Sequence, residues 1–228
     1  MYTSPNGDTC TLIAIEGPDR VGKHTQARML GNALFGKGPH GDQPVEKDTP
    51  WWANKVYEVP WNDGPLYQEI YAMLRDRSAF EFPVAFQTLH AANRRVFQAH
   101  ELPAFAGWAD VAILDRWTLS TRVYGACDGV PVEVTNRILK GVVEPDLTLV
   151  FDGDPFPKED LDAYEANTEF QKKVRAEYMK WCERDPSKYV KIKVDRPAEE
   201  LHTKVLARVL EVIGDPTGYG SGPMLDSR

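Results

Sequence analysis

Cysteine is scarce in this chain, with three among 228 residues. Cys10, Cys127 and Cys182 are widely separated and odd in number, so they show neither metal-ligand spacing nor a disulfide framework. That usage points to a reducing compartment. Positive charge is also in deficit: 27 Lys and Arg against 34 Asp and Glu leave a formal net charge of −7. Such a balance argues against a general electrostatic grip on a nucleic-acid backbone. No apolar run approaches the length that spans a bilayer, and the first residues are polar with no basic-then-apolar signal pattern. Internal repeats and coiled-coil heptads are absent as well. These absences lead to the expectation of a soluble, cytoplasmic protein. It should have neither a nucleic-acid polymer nor a membrane as partner, and be long enough to bury one substantial core.

What is present begins at residue 17. Gly17, Pro18, Asp19, Arg20, Val21, Gly22, Lys23, His24 and Thr25 form a phosphate-binding loop with one departure. Cys10 to Glu16 before it is a short apolar run with the character of a buried strand, and Gln26 to Leu34 after it has the composition of a helix. A bare G-x-x-x-x-G-K arises by chance in about one chain in twenty of this length. The strand before and the helix after therefore carry the weight. Backbone N–H groups of such a loop and the positive end of its helix converge on an anion. Gly17, Arg20, Val21, Gly22, Lys23, His24 and Thr25 are accordingly read as ATP-binding, with Lys23 reaching the outer phosphates. The departure is His24, where a Ser or Thr hydroxyl normally binds Mg²⁺. An imidazole there can ligate a cation, hydrogen-bond a metal-bound water, or contact phosphate when protonated; the second is favoured.

Apolar β-rich segments recur at Cys10–Glu16, Lys55–Val59, Val111–Asp115, Leu147–Asp152 and Tyr189–Val194. Helical patterns lie near Pro65–Arg75, Val84–His100, Leu119–Ala126, Glu133–Val142, Thr168–Glu183 and Pro197–Ile213. Strands alternating with helices predict an α/β fold with a five-stranded parallel sheet covered on both faces. Reactive groups in such folds gather at the carboxyl ends of strands. The glycine loop and Asp115-Arg116 both meet that rule. Residues 1–213 read as a single domain. Gly36 to Asn54, with Trp51 and Trp52, reads as a mobile connection, and residues 214–228 read as a flexible tail.

Phosphoryl transfer needs positioning and positive charge more than covalent help. Arg20 inside the loop can bridge donor and acceptor phosphates. Asp115 can hold metal-bound water and Arg116 can meet an incoming phosphate. Arg20, Lys23, Asp115 and Arg116 are therefore the candidate catalytic residues.

These residues resemble the thymidylate kinase family, which passes the γ-phosphate of ATP to dTMP. Ala14 to Gln26 with Asp19 inside is similar to the family's opening block. Ala92-Asn93-Arg94, Asp115-Arg116-Trp117 with Ser120 and Tyr124, Pro145 to Thr148 leading to Asp152, and Tyr164-Glu165 with Phe170-Gln171 are similar to later blocks. The resemblance implies a P-loop NTPase of three α/β/α layers with a short lid near residues 154–167, a homodimer, ATP as donor and Mg²⁺ as cofactor. It implies that Asp19 binds the sugar 3′-hydroxyl, Arg94 the base, Arg116 the acceptor phosphate and Asp115 the Mg²⁺ through water. Tyr124 and Tyr164 would line the nucleoside pocket, with Ser120 also binding substrate. The family divides by where its catalytic arginine sits. Arg20 in the loop, with Lys158 the sole basic residue of Phe156 to Tyr164, matches the loop-arginine type found in eukaryotic and some viral members. A viral member would work in its host's cytoplasm.

Besides His24, three departures from the family pattern fall on the acceptor side. His90 stands where the family stacks a phenylalanine on thymine, and it reads either as a stacking ring or as a buried histidine with a backbone partner. Val59-Pro60-Trp61-Asn62 replaces a segment that keeps an arginine, leaving Trp61 to pack on the nucleoside. Gly125 replaces a polar residue near the base. The expected acceptor is a deoxynucleoside monophosphate, either dTMP or a dUMP altered at the 5-position. Two alternatives remain open from sequence. One is a deoxynucleoside kinase with Glu16 or Glu58 as general base; the other is a nucleotide-binding protein made catalytically weak by His24.

Overall fold

Alternating apolar residues on the strands divide the core in two. In the computed structural model, which describes residues 1–35, 56–59, 64–107, 110–157, 159, 161–162 and 164–213, Ile13, Ile15, Ile113, Leu149 and Phe151 share one cluster with Ala27, Leu30, Val205 and Val209. Leu12, Ala14, Ala112 and Leu114 turn the other way, toward Ala91, Leu102 and Leu139. Because successive side chains of a strand point to opposite faces, each central strand must be apolar throughout to serve both layers.

The chain runs β1 (Tyr2–Thr3), β2 (Thr9–Glu16), α1 (Lys23–Phe35), β3 (Val56–Val59), α2 (Tyr67–Arg75) and α3 (Ser78–Glu81). It continues through α4 (Pro83–His100), α5 (Leu102–Ala106), β4 (Val111–Asp115), α6 (Thr118–Cys127) and α7 (Val132–Ile138). It closes with β5 (Leu147–Asp152), α8 (Thr168–Arg184), β6 (Tyr189–Lys193) and α9 (Ala198–Ile213). The parallel strands lie in the order β3-β4-β2-β5-β6. α1 and α9 cover one face, while the helices from α2 to α8 cover the other, giving three α/β/α layers.

The five expected strands are present, and those at 111–115 and 147–152 have the expected bounds. Three elements escaped the sequence reading: the two-residue β1, paired antiparallel to β2, and the short helices α3 and α5. None is long enough to display a period. α1 starts at Lys23, directly at the glycine loop and three residues earlier than expected. The helix expected to reach Val142 stops at Ile138, followed by a turn at Leu139 to Gly141 in which Gly141 takes φ 87°. Trp61, Lys158, the whole 36–54 stretch expected to be mobile, with Trp51 and Trp52, and the 214–228 tail lie outside the described residues. Among the described residues no helix is long and apolar enough to cross a membrane.

β2 is central, between β4 and β5, so the segments leaving β2 and β4 open side by side at the carboxyl edge of the sheet. Arg116 N extends this edge by donating to Ile15 O at 2.9 Å.

Candidate active site

The loop that leaves β2 begins with a residue that only glycine can supply. Gly17 has φ 137°, and a Cβ there would stand 2.5 Å from Phe151 O of the neighbouring strand. The loop then passes through Arg20 at φ 61°, a left-handed conformation that non-glycine residues rarely hold. Two bonds to one residue fix it: Phe156 N donates to Arg20 O at 2.7 Å, and Arg20 Nη1 donates to Phe156 O at 3.2 Å. The start of the expected lid is thereby tied to the phosphate loop. α1 has no acidic residue in its first turn, which leaves its positive end available to an anion.

Arg116, at the end of β4, is likewise left-handed at φ 64°. Its Nη1 donates to Gly17 O at 2.9 Å and to Ser120 Oγ and Tyr178 Oη at 3.3 Å, while Nη2 is ion-paired with Asp19. Strain of this kind persists where surrounding contacts over-determine it, and it collects at functional sites.

These groups meet in a cavity of about 440 Å³. Every candidate site residue named from the sequence lines it, apart from two. Gly17 sits behind the loop, where its carbonyl holds Arg116. Trp61 lies outside the described residues. Val21 touches the cavity although its side chain belongs to the core. His24 and Thr25 are exposed at the rim.

The electrostatics follow from charges packed out of water. Burial pushes the Asp19 carboxyl up, but Arg116, Lys23 and hydrogen bonds from Tyr124 and Gln171 (each 2.8 Å) outweigh it and hold it below the usual range. Burial, and then Arg116, draws the Lys23 ammonium down to about 8 against the pull of Asp19 and Asp115. Asp115 moves up, because burial outweighs the nearby Lys23, Arg116 and His24. Its Oδ1 is buried and has no hydrogen-bond partner among the described residues. Burial, reinforced by Arg94 and Arg116, pushes His90 well below the ordinary imidazole range, so its ring is neutral at pH 7. That ring meets Phe86 edge to face at 4.7 Å.

Glu16 has a different task from the one open in the sequence. It is fully buried, and its two oxygens accept from Trp117 N (2.7 Å), Ser120 N (3.1 Å), Ser120 Oγ (2.5 Å) and Tyr178 Oη (2.9 Å). A carboxylate committed to four donors has no reach toward a substrate hydroxyl, which removes Glu16 as a general base. Ser120, expected to bind substrate, lines the cavity with its hydroxyl already given to Glu16.

Several contributors were missed from sequence. Gln171 bridges the site, donating to Asp19 Oδ2 at 2.8 Å and to Tyr164 O at 3.1 Å while its Oε1 accepts from Asp19 N at 3.2 Å. Thr121 accepts from Arg94, and Gln87 lines the cavity from α4. Gln87 and Arg94 are spaced i, i+7 with His90 between them, a helical stripe that could have flagged Gln87. Gly125 does not face the cavity; it packs toward Thr135, Val130 and Gln87.

No family model matches the chain. It is 29% identical over 215 residues to the thymidylate kinase of Pelotomaculum thermopropionicum, covering 89% of this chain and 94% of that one. It is 26% identical over 223 residues to a probable thymidylate kinase of Methanococcoides burtonii, covering 89% and 97%. The fold matches a crystal structure of thymidylate kinase from Ehrlichia chaffeensis with a TM-score of 0.61 at 22% identity, covering 88% of this chain and 98% of that one. End-to-end matches of this kind, on a chain whose loop, strand ends and α4 converge on one cavity, mark it as a phosphotransferase similar to the thymidylate kinases along nearly its whole length.

Proposed function

We propose that this nucleoside monophosphate kinase transfers the γ-phosphate of ATP to a deoxynucleoside monophosphate, either dTMP or a 5-substituted dUMP. The observation that carries the reading is the single cavity into which the glycine loop, Arg116 and the Arg94–Tyr124 end all open. Donor phosphates would lie against the loop amides and Lys23, and the acceptor phosphate against Arg116. An acceptor phosphate is already anionic, so attack on the γ-phosphorus needs no general base. This suits a site whose strand-end glutamate is spent on structure. Arg20 and Arg116 would neutralise charge on the migrating group. Asp19 retains acceptor capacity for a sugar hydroxyl, since its Oδ1 accepts from Arg116 alone among the described residues.

Mg²⁺ fits the residues present. Asp115 offers a buried carboxylate oxygen with no partner among the described residues, and its neighbours include His24. No group of three or more His, Cys, Asp or Glu clusters for a metal among the described residues, and Mg²⁺ typically needs only one or two carboxylates beside nucleotide phosphates. Asp115 would hold the ion through water, with His24 orienting that water, and the bound ion would neutralise the β- and γ-phosphates.

An assay of ADP release with ATP, Mg²⁺ and a panel of dTMP, dUMP, 5-hydroxymethyl-dUMP, dGMP and free nucleosides tests the reading. Turnover of dTMP or the 5-substituted relative is expected; a clear preference for dGMP or for nucleosides overturns it. Lys23 adds a pH signature. It must be charged to bind phosphate, so its lowered pKa makes kcat/KM for ATP intact below about 8 and falling as pH rises through that value. Bound phosphates raise the pKa again, so kcat holds to higher pH. A kcat/KM that stays level to about pH 9.5 would contradict this assignment.

A further inference from the structure

The buried face of α4 carries three polar residues, Gln87, Asn93 and Arg94. Two have evident partners: Asn93 Oδ1 accepts from Leu66 N at 3.0 Å, and Arg94 Nη1 donates to Thr121. Gln87 does not. It is 2% exposed and lines the cavity, and its Nε2 is buried without a hydrogen-bond partner among the described residues. Native chains seldom leave a buried amide in that condition without a use for it. Across from it α6 presents Gly125, where a Cβ would stand 2.8 Å from Thr135 Cγ2 and 3.6 Å from Gln87 Cγ. Gly125 lines no part of the cavity and offers the Gln87 amide no side-chain partner, so Gln87 is the polar group that α4 brings to this wall. His90, one turn further along the same face and neutral, adds a second polar edge.

We propose that Gln87 is a specificity-determining residue that reads a hydroxyl-bearing substituent on the pyrimidine ring of the acceptor, so that the site favours 5-hydroxymethyl-dUMP over dTMP. The proposal rests on the reading of the enzyme as a deoxynucleoside monophosphate kinase. Arg94 is assigned the base, and Gln87 lies two turns away along the same helix face, placed for a part of the base edge that Arg94 does not serve. A carboxamide has a donor end and an acceptor end, and a hydroxyl can satisfy either by rotating its proton. A methyl group satisfies neither and shuts the Nε2 away from water. Sites built to hydrogen-bond a substrate hydroxyl discriminate strongly against an analogue that lacks it, because their own buried polar group is then left unpaired.

The experiment uses the full chain and measures kcat/KM and calorimetric Kd for 5-hydroxymethyl-dUMP and dTMP, in wild type and in Gln87→Met, which keeps the length without the amide. Wild type should favour the hydroxymethyl nucleotide by about tenfold or more, and Gln87→Met should erase that ratio. A wild type that favours dTMP, treats the two alike, or prefers dGMP overturns the proposal. So does an equal loss on both nucleotides in Gln87→Met, which would mark a packing role. Melting curves check that the variant folds, and Gln87→Leu replaces it if it does not. If wild type binds both nucleotides but phosphorylates neither, the kinase reading fails, while the Kd ratio still decides the role of Gln87.

Discussion

Arg116→Ala should lower kcat by about 10³-fold or more, in line with arginines that stabilise charge in phosphoryl transfer. The side chain is 11% exposed and is gripped on several sides: by Gly17 O, Ser120, Tyr178 and Asp19, with the Tyr124 ring 5.3 Å from the guanidinium carbon. Although burial works against it, Tyr124, Asp19 and Tyr178 keep the guanidinium firmly protonated. It is also the tie between two strand ends, since one nitrogen holds the carbonyl of Gly17 while the other faces the carboxylate of Asp19. Lysine cannot reproduce that fork, so Arg116→Lys should recover little. Part of the damage is electrostatic, because the alanine variant leaves Asp19 largely buried without its strongest cation. Asp19→Asn in the Arg116→Ala background should restore some stability in urea and none of the kcat, separating the two roles. An Arg116→Lys enzyme within tenfold of wild type would sink the assignment.

Glu16→Leu should cost on the order of 4 kcal/mol of stability, the largest structural effect expected of a substitution near the site. It strands the N–H groups of Trp117 and Ser120 and the hydroxyls of Ser120 and Tyr178, all of which converge on Glu16 in a fully buried position. At about 1–3 kcal/mol for each unsatisfied donor, even partial rearrangement leaves a large loss. For a chain of this size that corresponds to a fall in Tm of about 8–16 °C. Urea unfolding should show a lower midpoint at unchanged slope, and Glu16→Gln, which keeps an acceptor, should lose much less. A loss under about 1 kcal/mol for Glu16→Leu would show that the four donors find other partners.

The two cases differ in how far sequence could lead. Arg116 follows an apolar strand and an aspartate, so chain order alone placed it at a sheet edge where phosphate chemistry gathers. Glu16 ends the strand before the loop, and its position fitted equally a catalytic base and a buried anchor. The decision came from Tyr178, 162 residues away, whose hydroxyl reaches Glu16 Oε2 at 2.9 Å. Gln171, 152 residues from Asp19, was invisible as a site residue for the same reason. Gln87 fell in between: it shares a helical stripe with Arg94, yet only the packing of α6 showed that its amide has no protein partner.

By itself the sequence determined the alternation of strand and helix, the central parallel strands and the glycine-bounded loop. Each is set by local periodicity, composition and the φ angles a residue can adopt, quantities that a short window contains. Only the tertiary structure decided which carboxylates are spent on structure and which face the cavity, in which direction burial shifts Lys23, Asp115 and His90, and which buried amide of α4 is left without a partner among the described residues at the cavity. Those depend on desolvation and on hydrogen bonds between segments distant in the chain, and neither exists until the layers have closed over one another.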